Sequence, residues 1–414
     1  MLPTVAIVSV HACPLGRLGS RETGGMNVYV RELATELAKQ GLAVDVFTRR
    51  TDPADREVVE MAAGATLVRV TAGEIGPMDK NAVYDYLPQF VAGVERYRRG
   101  QGRRYDVVHS HYWLSGRAGI DLAARWHVPH LTMFHTLGEV KNRCGAPGQE
   151  SELRIAVERQ VVHSVDRTIA ASEDELHHLV DLYDADPERV TIVPCGVNTR
   201  LFSPLPRAEA RAKLGLNGHR TALFVGRMDP LKGLDLLLLA AHELRRSVPD
   251  LQLLVVGGDA SPESEEGRVR DLARELGLAD RVTFVGAVPQ TELPTYYSAA
   301  DLCVVPSFYE SFGLVAVEAL ACGTPVVASR VGGLPGVVKH GENGLLVANR
   351  TASDFAASIG ELCRDEGRRA GLALRARASV ARLVWESVAR RILQVYDETL
   401  AAAGPAGALS SLRR

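Results

Sequence analysis

The feature that most constrains the fold is an alternation of short apolar runs with amphipathic segments along nearly the whole chain. The clearest amphipathic segment, Val28–Lys39, has Val30, Leu33 and Leu37 on one stripe and charged residues on the opposite side. Short runs rich in Val, Ile and Leu that alternate with helices form parallel sheets with helices on both faces. The pattern therefore predicts an α/β fold built on parallel sheets.

The predicted strands and helices repeat in both halves of the chain. The predicted strands are Thr4–Val10, Ala43–Thr48, Thr66–Thr71, Asp106–His109, His130–His135, Arg167–Ala171, Val190–Pro194, Thr221–Val225, Leu251–Val256, Arg281–Val285, Leu302–Val305, Pro325–Ala328 and Gly344–Val347. The other predicted helices are Asn81–Arg99, Glu152–Ser164, Glu173–Leu182, Leu234–Arg246, Arg268–Leu276, Thr291–Ser298, Leu314–Cys322, Ala352–Arg364 and Trp385–Leu400.

A chain of 414 residues is too long for one ordinary hydrophobic core, so two domains are expected. Turn residues at 194–198 mark the linker, which places an N-terminal Rossmann-like domain at 1–196 and a C-terminal one at 197–384. Two such domains would face a central cleft at the carboxyl ends of their strands. The helix at 385–400 could pack back on the N-terminal domain, and the Ala/Gly/Ser-rich tail 401–414 is expected to be flexible.

Charge and cysteine use exclude several classes of protein. The net charge of −2 gives no basic field for nucleic acid, and no apolar run is long enough to span a bilayer. The N-terminus indicates a first strand and not a signal peptide. The six cysteines form no CxxC pair or disulfide framework, which favours the cytoplasm. The cluster Arg98, Arg99, Arg103 and Arg104 could touch an anionic membrane, although a solvated helix end explains it more simply.

The stretch Pro306–Pro335 carries the strongest functional signal. A polar loop follows an apolar strand, and a helix of small residues begins directly after Gly313. The first N–H groups of a helix are unpaired and suit a phosphate, and glycine allows it to approach closely. A carboxylate beside phosphate would be repelled, so Glu310 and Glu318 are expected to bind sugar or ribose hydroxyls. The stretch therefore predicts a nucleotide-sugar site.

Two cations precede that stretch in the C-terminal half. Arg227 and Lys232 lie across a Pro-containing turn after the first strand of this half, where they could converge on a diphosphate. Two solvated surface charges are the simpler alternative for either cation alone. Their position at a strand end favours the diphosphate.

Polar residues also follow strands of the N-terminal half. His11 follows the first strand, a Gly24-Gly25 pair opens the amphipathic helix, and His109, His111 and His135 come at two further strand ends. No GxGxxG motif or acidic strand end accompanies the glycines, so a dinucleotide cofactor is not expected. H-x-H can bind a metal, but no third ligand lies nearby in sequence, and site-lining without metal is the preferred interpretation.

Together these residues resemble the retaining glycosyltransferases of GT-B fold, over nearly the whole chain. The most specific match is the E-x7-E motif from Glu310 to Glu318, with Gly226-Arg227 and Lys232 upstream. The resemblance implies that Arg227 and Lys232 bind the donor diphosphate, that Glu310 contacts the donor sugar, and that Glu318 contacts the ribose. It places His135 near the anomeric carbon, so His135, Arg227, Lys232 and Glu310 are the candidate catalytic residues. Further candidate donor contacts are Gly25, Phe312, Gly313 and Leu314.

Within that family, the segments GGMNVYV, HSHYWLSG and HTLGEVKN are most similar to the inositol-phosphate N-acetylglucosaminyltransferases of mycothiol synthesis. That similarity implies that the phosphate of an acceptor is held by Lys80, Tyr112, Thr136 and Arg154, with His11 and Asn27 beside the acceptor ring. The loops at 143–149 and 17–22 depart from the pattern of that branch. Both would lie on the acceptor side.

The resemblance implies transfer of a sugar from UDP-N-acetylglucosamine or UDP-glucose to a phosphorylated polyol or sugar, 1D-myo-inositol 3-phosphate being the leading acceptor. The alternative is a sucrose-phosphate synthase, which would use UDP-glucose and fructose 6-phosphate. A UDP-N-acetylglucosamine 2-epimerase is the candidate from another class. No metal motif is visible, so no cofactor is required and Mg²⁺ is optional. The family makes a homodimer reasonable.

Overall fold

A computed structural model describes residues 3–16, 24–145, 150–216, 218–258 and 265–404. These residues form two compact units. The first holds the residues up to Gly16, Gly25–Pro194 and those from Trp385 onward, and the second holds Gly24 and Cys195–Val384. The loop at 17–22, most of the loop at 143–149 and most of the predicted flexible tail lie outside the described residues.

The first unit is built on an eight-stranded sheet in the order β3-β4-β2-β1-β5-β6-β7-β8. Its strands are β1 Thr4–Val8, β2 Ala43–Arg49, β3 Val58–Ala62, β4 Ala65–Val70, β5 Val107–His111, β6 His130–Met133, β7 Arg167–Ala170 and β8 Val190–Ile192. All neighbours pair in parallel except β3, which runs antiparallel to β4 at the edge. The short apolar runs thus form one mostly parallel sheet, as the alternation predicts.

Helices connect these strands. They are α1 Gly25–Lys39, α2 Lys80–Asp85, α3 Leu87–Gly100, α4 Trp113–Trp126, α5 Gly138–Arg143, α6 Glu152–Ser164 and α7 Glu173–Tyr183. The apolar stripe of α1 is buried, with Val30, Leu33 and Leu37 inaccessible to solvent. Burial of such side chains contributes roughly 1.5–3 kcal/mol each, which is why α1 lies with this face on the sheet.

The second unit is built on a six-stranded sheet in the order β11-β10-β9-β12-β13-β14, in which all neighbours are parallel. Its strands are β9 Arg220–Val225, β10 Leu251–Val256, β11 Val282–Gly286, β12 Leu302–Val305, β13 Val326–Ser329 and β14 Gly344–Val347. Its helices are α8 Arg207–Lys213, α9 Leu234–Leu244, α10 Glu265–Glu275, α11 Leu293–Ala299, α12 Leu314–Ala321, α13 Leu334–Val337, α14 Ala352–Arg364 and α15 Glu366–Ser379. Leu237, Val255, Val304 and Phe355 lie in its core.

The last helix, α16 (Trp385–Ala402), belongs to the first unit although it follows the strands of the second in sequence. Trp385 packs edge-on against Tyr29 of α1, with ring centroids 5.3 Å apart. The inner face of α16, which includes Ile392 and Tyr396, is fully buried. Among the described residues, no helix is both long and apolar enough to cross a bilayer.

In both sheets the strand order reverses beside the first strand. Chain order runs from β1 to β2 on one side and to β5 on the other, and likewise from β9 to β10 and to β12. Ligands of open parallel sheets bind outside the carboxyl ends of the strands at such a reversal. The loops after β1, β5, β9 and β12 are therefore where each unit would hold a ligand.

Several elements differ from the sequence prediction. Helix α4 was missed because Gly116 and Gly119 weaken its helical pattern, yet both glycines are needed for close packing. A Cβ on Gly116 would lie 2.8 Å from Val161, and one on Gly119 would lie 2.4 Å from the His130 ring. Helix α15 and strand β3 were also missed. The predicted helix Asn81–Arg99 is broken at Tyr86, because a proline opens α3.

Candidate functional site

The loop from β12 to α12 in the second unit has a conformation that requires glycine. Gly313 has φ +101° and precedes the first residue of α12, Leu314. A Cβ on Gly313 would lie 2.7 Å from Leu334, so a side chain would clash as well as strain the backbone. Helix α12 therefore begins directly after a residue without a side chain, as the sequence predicts. A ligand could approach its first N–H groups closely. Phe312 is buried beside it.

Glu310 is held within the same loop and contacts Lys232. Lys232 Nζ donates to Glu310 Oε2 at 2.6 Å. The carbonyl of Glu310 accepts from Gly333 N at 3.0 Å, and a Cβ on Gly332 would lie 1.8 Å from that carbonyl oxygen. The Gly332-Gly333 pair thus lets the backbone pass close to Glu310.

The loop after β9 carries Arg227 and Lys232. Lys232 ends a short 3₁₀ turn, Pro230–Lys232, and Asp229 caps its start by accepting from Leu231 N at 2.9 Å. Asp229 Oδ2 also lies 3.7 Å from Arg227 Nη2. The carbonyl of Leu231 accepts from Phe308 N at 2.7 Å, which joins the β9 loop to the β12 loop. The second unit therefore places Lys232 against Glu310 at the reversal of its strand order.

Glu318 lies one turn into α12 and is buried. Tyr297 OH donates to Glu318 Oε2 at 2.8 Å. Burial raises the pKa of Glu318 to about 7, against smaller opposing effects of hydrogen bonds from Tyr297 and Gln290. A carboxyl with this pKa changes charge close to neutral pH. The contact of Tyr297 with Glu318 was not predicted, because the sequence around Tyr297 does not show which carboxylate its hydroxyl bonds.

In the first unit, a buried arginine organises the predicted acceptor residues. Arg154 is 2% exposed, and its Nη2 donates to the Thr136 carbonyl at 2.8 Å and to Thr136 Oγ1 at 3.1 Å. Its guanidinium lies 4.8 Å from the centroid of the Tyr112 ring. Arg154, Thr136 and Tyr112 are therefore in contact, although they come from α6 and from the ends of two different strands.

Two carboxylates hold this arginine. Glu158, fully buried one turn along α6, accepts from Arg154 Nε at 2.7 Å, and Glu150 Oε2 lies 2.9 Å from Arg154 Nη1. Burial alone would lower the pKa of Arg154, but Glu158, Tyr112 and Glu150 together raise it above its ordinary value. Arg154 thus keeps its positive charge despite its burial.

Glu158 also organises the loop after β6. Its Oε2 accepts from Gly138 N at 2.9 Å and from Tyr183 OH at 2.6 Å. The start of α5 is therefore tied to the arginine network through one carboxylate. Glu158, Tyr183 and Glu150 were missed from the sequence. The spacing of Arg154 and Glu158 by four residues on a helix is a signal that could have paired them.

Tyr112 is the centre of the other predicted acceptor residues. His11 lies with its ring centroid 4.3 Å from that of Tyr112, and Lys80 Nζ is 5.9 Å from the Tyr112 centroid. Burial lowers the pKa of His11 far below its usual value, and the charges of Lys80 and Arg154 lower it further. His11 is thus neutral beside two cations, Lys80 and Arg154.

Asn27 and Gly25 lie at the start of α1. Asn27 is buried, and its Nδ2 donates to the Cys13 carbonyl at 2.8 Å. This bond ties the helix start to the loop after β1. Gly25 is the first residue of α1, at the position that the sequence assigned to it.

The backbone is strained at two of these positions. Tyr112 has φ +79° and His135 has φ +62°, and they follow the adjacent strands β5 and β6. The other non-glycine residues of positive φ in the described chain, His127 and Asp184, are ordinary left-handed helix caps. Strained residues concentrate at functional sites, because the surrounding structure must hold them there. This strain makes the β5 and β6 ends candidates for the functional site.

His109 and His111 both belong to β5, which ends at His111, two residues beyond the predicted strand end at His109. Both are inaccessible to solvent. His111 Nδ1 lies 3.0 Å from His135 Nε2, and His109 Nδ1 lies 2.8 Å from Tyr396 OH of α16. Burial lowers the pKa of His109 and of His135 to about 3. These histidines are neutral, and no metal-binding group of three or more His, Cys, Asp or Glu occurs in the described part of the chain.

Comparison with known proteins places this chain among sugar-transferring enzymes. The profile of Glycosyl transferases group 1 matches residues 206–379, and that of Glycosyltransferase Family 4 matches residues 23–201. The D-inositol 3-phosphate glycosyltransferase of Thermobispora bispora is 44% identical over 408 residues, which span 96% of this chain and 95% of that protein.

Solved structures show the same fold. Sucrose-phosphate synthase from Thermosynechococcus elongatus superposes with a TM-score of 0.90 at 38% identity, over 97% of this chain and 100% of that one. Anabaena HepE in complex with UDP-glucose superposes with a TM-score of 0.77 at 20% identity, over 96% of this chain and 100% of that one. The second likeness is one of fold, that of the GT-B glycosyltransferases.

Proposed function

The chain belongs to the family of Glycosyl transferases group 1, and on that premise we propose that it transfers a sugar from UDP-N-acetylglucosamine or UDP-glucose to 1D-myo-inositol 3-phosphate. That it is a glycosyltransferase follows from the family. The donor, the acceptor and the stereochemistry are the proposal. The observation that carries it is the contact of Arg154, Thr136 and Tyr112, with Lys80 over the same ring.

This group of residues suits a phosphate monoester. Lys80 and Arg154 lie over the Tyr112 ring, and Arg154 also bonds the Thr136 hydroxyl. Charge-assisted hydrogen bonds to phosphate are stronger than those to a neutral acceptor. His11 is neutral, so it can contact a ring hydroxyl without adding to the charge. A phosphorylated polyol would place its phosphate against Arg154 and Lys80 and its ring toward His11 and Asn27.

The second unit would bind the donor through the loops after β9 and β12. Arg227 and Lys232 would contact the diphosphate, and the N–H groups at the start of α12 would contribute to the same charge. Gly313 and Leu314 lie at this helix start, with Phe312 before it, and Gly25 is proposed to add to the donor contacts from the start of α1. Glu310 would contact the sugar and Glu318 the ribose. Lys232 Nζ donates to Glu310 Oε2 at 2.6 Å. When a diphosphate binds, the Lys232 ammonium would bond both this carboxylate and the phosphate.

We propose that the transfer retains the anomeric configuration. The acceptor hydroxyl oxygen would form a bond to the anomeric carbon on the face from which UDP departs, as the bond from that carbon to the β-phosphate oxygen breaks. The acceptor proton would pass to the leaving phosphate oxygen. Arg227 and Lys232 would stabilise the charge that develops there, which is the usual role of fixed cations in such sites. His135 would contact the donor sugar near the reacting carbon.

Release of UDP across two donors and two acceptors tests this function. UDP-N-acetylglucosamine and UDP-glucose would each be assayed with inositol 3-phosphate and with fructose 6-phosphate. We expect the highest kcat/KM with inositol 3-phosphate, and a loss of about 10²-fold or more with unphosphorylated inositol, because that acceptor could not form charge-assisted hydrogen bonds with Arg154 and Lys80. Proton NMR of the product would report the anomeric configuration.

The second candidate is a sucrose-phosphate synthase. It is favoured by the 38% identity and the TM-score of 0.90 to the synthase from Thermosynechococcus elongatus, and its acceptor also carries a phosphate. UDP release with UDP-glucose and fructose 6-phosphate, and none with inositol 3-phosphate, would establish it. An epimerase would convert the donor without any acceptor, and the same assay without acceptor separates that class.

Mg²⁺ is not required in this proposal, and we place the enzyme in the cytoplasm as a homodimer. Activity that persists in EDTA would support the first point. Light scattering coupled to size-exclusion chromatography would give the mass of the assembly. A mass of one chain would contradict the dimer without affecting the proposed reaction.

A further inference from the structure

The first unit contains a buried row of side chains that the proposed reaction does not explain. Tyr396 OH lies 2.8 Å from His109 Nδ1, and His111 Nδ1 lies 3.0 Å from His135 Nε2. The rings of His109 and His111 are 4.4 Å apart, centroid to centroid. Only His135 in this row is partly exposed, so the row ends at the proposed catalytic position.

His109 and His111 share a face of β5 because they are two residues apart on a strand. Both Nε2 atoms are buried and have no hydrogen-bond partner among the residues that the structure describes. A neutral histidine carries one N–H, and its position decides which nitrogen donates. The structure therefore limits the proton positions in this row.

Two arrangements of the His111–His135 bond are possible. If the proton of His111 were on Nε2, a buried N–H would have no acceptor among the described residues, and such orphan donors are rarer in proteins than orphan acceptors. If the proton is on Nδ1, His111 donates to His135 Nε2, and only an acceptor lone pair at His111 Nε2 stays unpaired. The second arrangement is the less costly one.

We propose that His111 is a positioning residue that donates from Nδ1 to His135 Nε2 and so holds His135 in the tautomer with its proton on Nδ1. The remaining nitrogen of His135 then presents a donor, which a sugar hydroxyl can accept. The bond also fixes the ring of a residue whose backbone is already strained at φ +62°. The role of this bond in catalysis rests on the proposed glycosyl transfer. The assignment of the tautomer is independent of that proposal.

The tautomer can be measured without any substrate. The full chain labelled with ¹⁵N-histidine would give ring nitrogen signals, and those of His135 are identified by their loss in His135→Asn. We expect the proton of His135 on Nδ1 in the wild type. In His111→Leu we expect it to shift to Nε2, the preferred position in an unconstrained imidazole. A wild-type proton on Nε2 would overturn the proposal.

Kinetics separate positioning from a structural role. His111→Leu removes the donor, and we expect kcat to fall about 10²-fold with unchanged acceptor KM, since a small displacement of a catalytic group has this effect. His111→Asn keeps an N–H donor at the δ position and should recover most of kcat. Equal activity of His111→Leu and the wild type, or equal losses in the Leu and Asn variants, would contradict the proposal.

Tyr396→Phe is the matched control. It removes a buried hydrogen bond from the far end of the row, and it leaves the His111–His135 bond in place. We expect a lower melting temperature, with kcat within a few-fold of the wild type and an unchanged His135 tautomer. A His135 tautomer shift in Tyr396→Phe would show that general disturbance of this packing is enough, and would overturn the specific role of His111.

Discussion

The two units hold their proposed anion-binding cations in opposite ways. In the first unit, the side chain of Arg154 is 2% exposed and is bonded by Glu158, by Glu150 and by Thr136. In the second, the side chains of Arg227 and Lys232 are 42% and 27% exposed, and Lys232 has one close carboxylate partner. A buried cation must be fully paired to fold, whereas an exposed one can exchange its partner for a ligand. The first cation site is thus preorganised, and the second can rearrange.

The sharpest test of this difference is Arg154→Ala. It leaves Glu158 buried without its ion-pair partner, and breaking such a pair costs about 3–5 kcal/mol of stability. We expect a clear fall in the melting temperature and loss of transfer to the phosphorylated acceptor. Arg159→Ala removes an exposed arginine from the same helix and is the control. Equal melting temperatures for the two variants would show that the network is not a source of stability.

Lys232→Ala is expected to act on rate and not on folding. Turnover should fall by roughly one to three orders of magnitude, because charge on the leaving phosphate would lose a fixed cation. The melting temperature should change little, since the ammonium is partly exposed. Lys39→Ala is the matched control, because Lys39 also bonds a glutamate but lies on an exposed part of α1. Full activity in Lys232→Ala, with an intact fold, would remove it from the donor site.

Glu318→Gln tests the buried carboxyl of the second unit. Its pKa in the folded protein, about 7, is above its ordinary value, so the folded state binds the proton more tightly than the unfolded state does. This stabilising contribution is full below pH ~4.5 and is lost as the pH rises to about 7. The free energy of unfolding of the variant, relative to that of the wild type, should therefore rise by on the order of 2 kcal/mol between pH 5 and pH 8.

Melting temperatures of both proteins at pH 5 and pH 8 would measure this gain. Glu361→Gln is the control, because Glu361 is a partly exposed glutamate of the same unit. A constant difference between Glu318→Gln and the wild type at both pH values would contradict the raised pKa.

Glu150→Gln should have the smallest effect. Glu150 bonds Lys141 as well as Arg154, and although burial opposes it, the charges of these cations lower its pKa. Its carboxylate would compete with an acceptor phosphate for Arg154. A partly exposed pair contributes less than about 1 kcal/mol, so the acceptor KM should fall by no more than about five-fold. Inhibition by inorganic phosphate should strengthen in parallel. A higher acceptor KM would instead assign Glu150 to orienting the arginine.

Much of this architecture could be predicted because it depends on local patterns. The apolar runs gave β10, β12 and β14 with their observed ends, and the stripe and turn residues gave α6 and α14. Gly313 was predicted to lie at a helix start, and its φ of +101° explains why glycine stands at this position. The break at Tyr86 and the glycine-containing helix α4 were not predicted, because tertiary packing there outweighs local propensity.

The amino-acid sequence by itself determined which residue types stand at the ends of the strands, and so the chemistry that each unit can perform. Tertiary structure alone decided their pairing: that Glu158 holds Arg154, that Tyr297 bonds Glu318, and that His111 meets His135. The physical reason is that pattern and propensity act over a few residues, whereas burial brings side chains together from distant segments. A buried polar group must then bond whatever partner the fold places beside it.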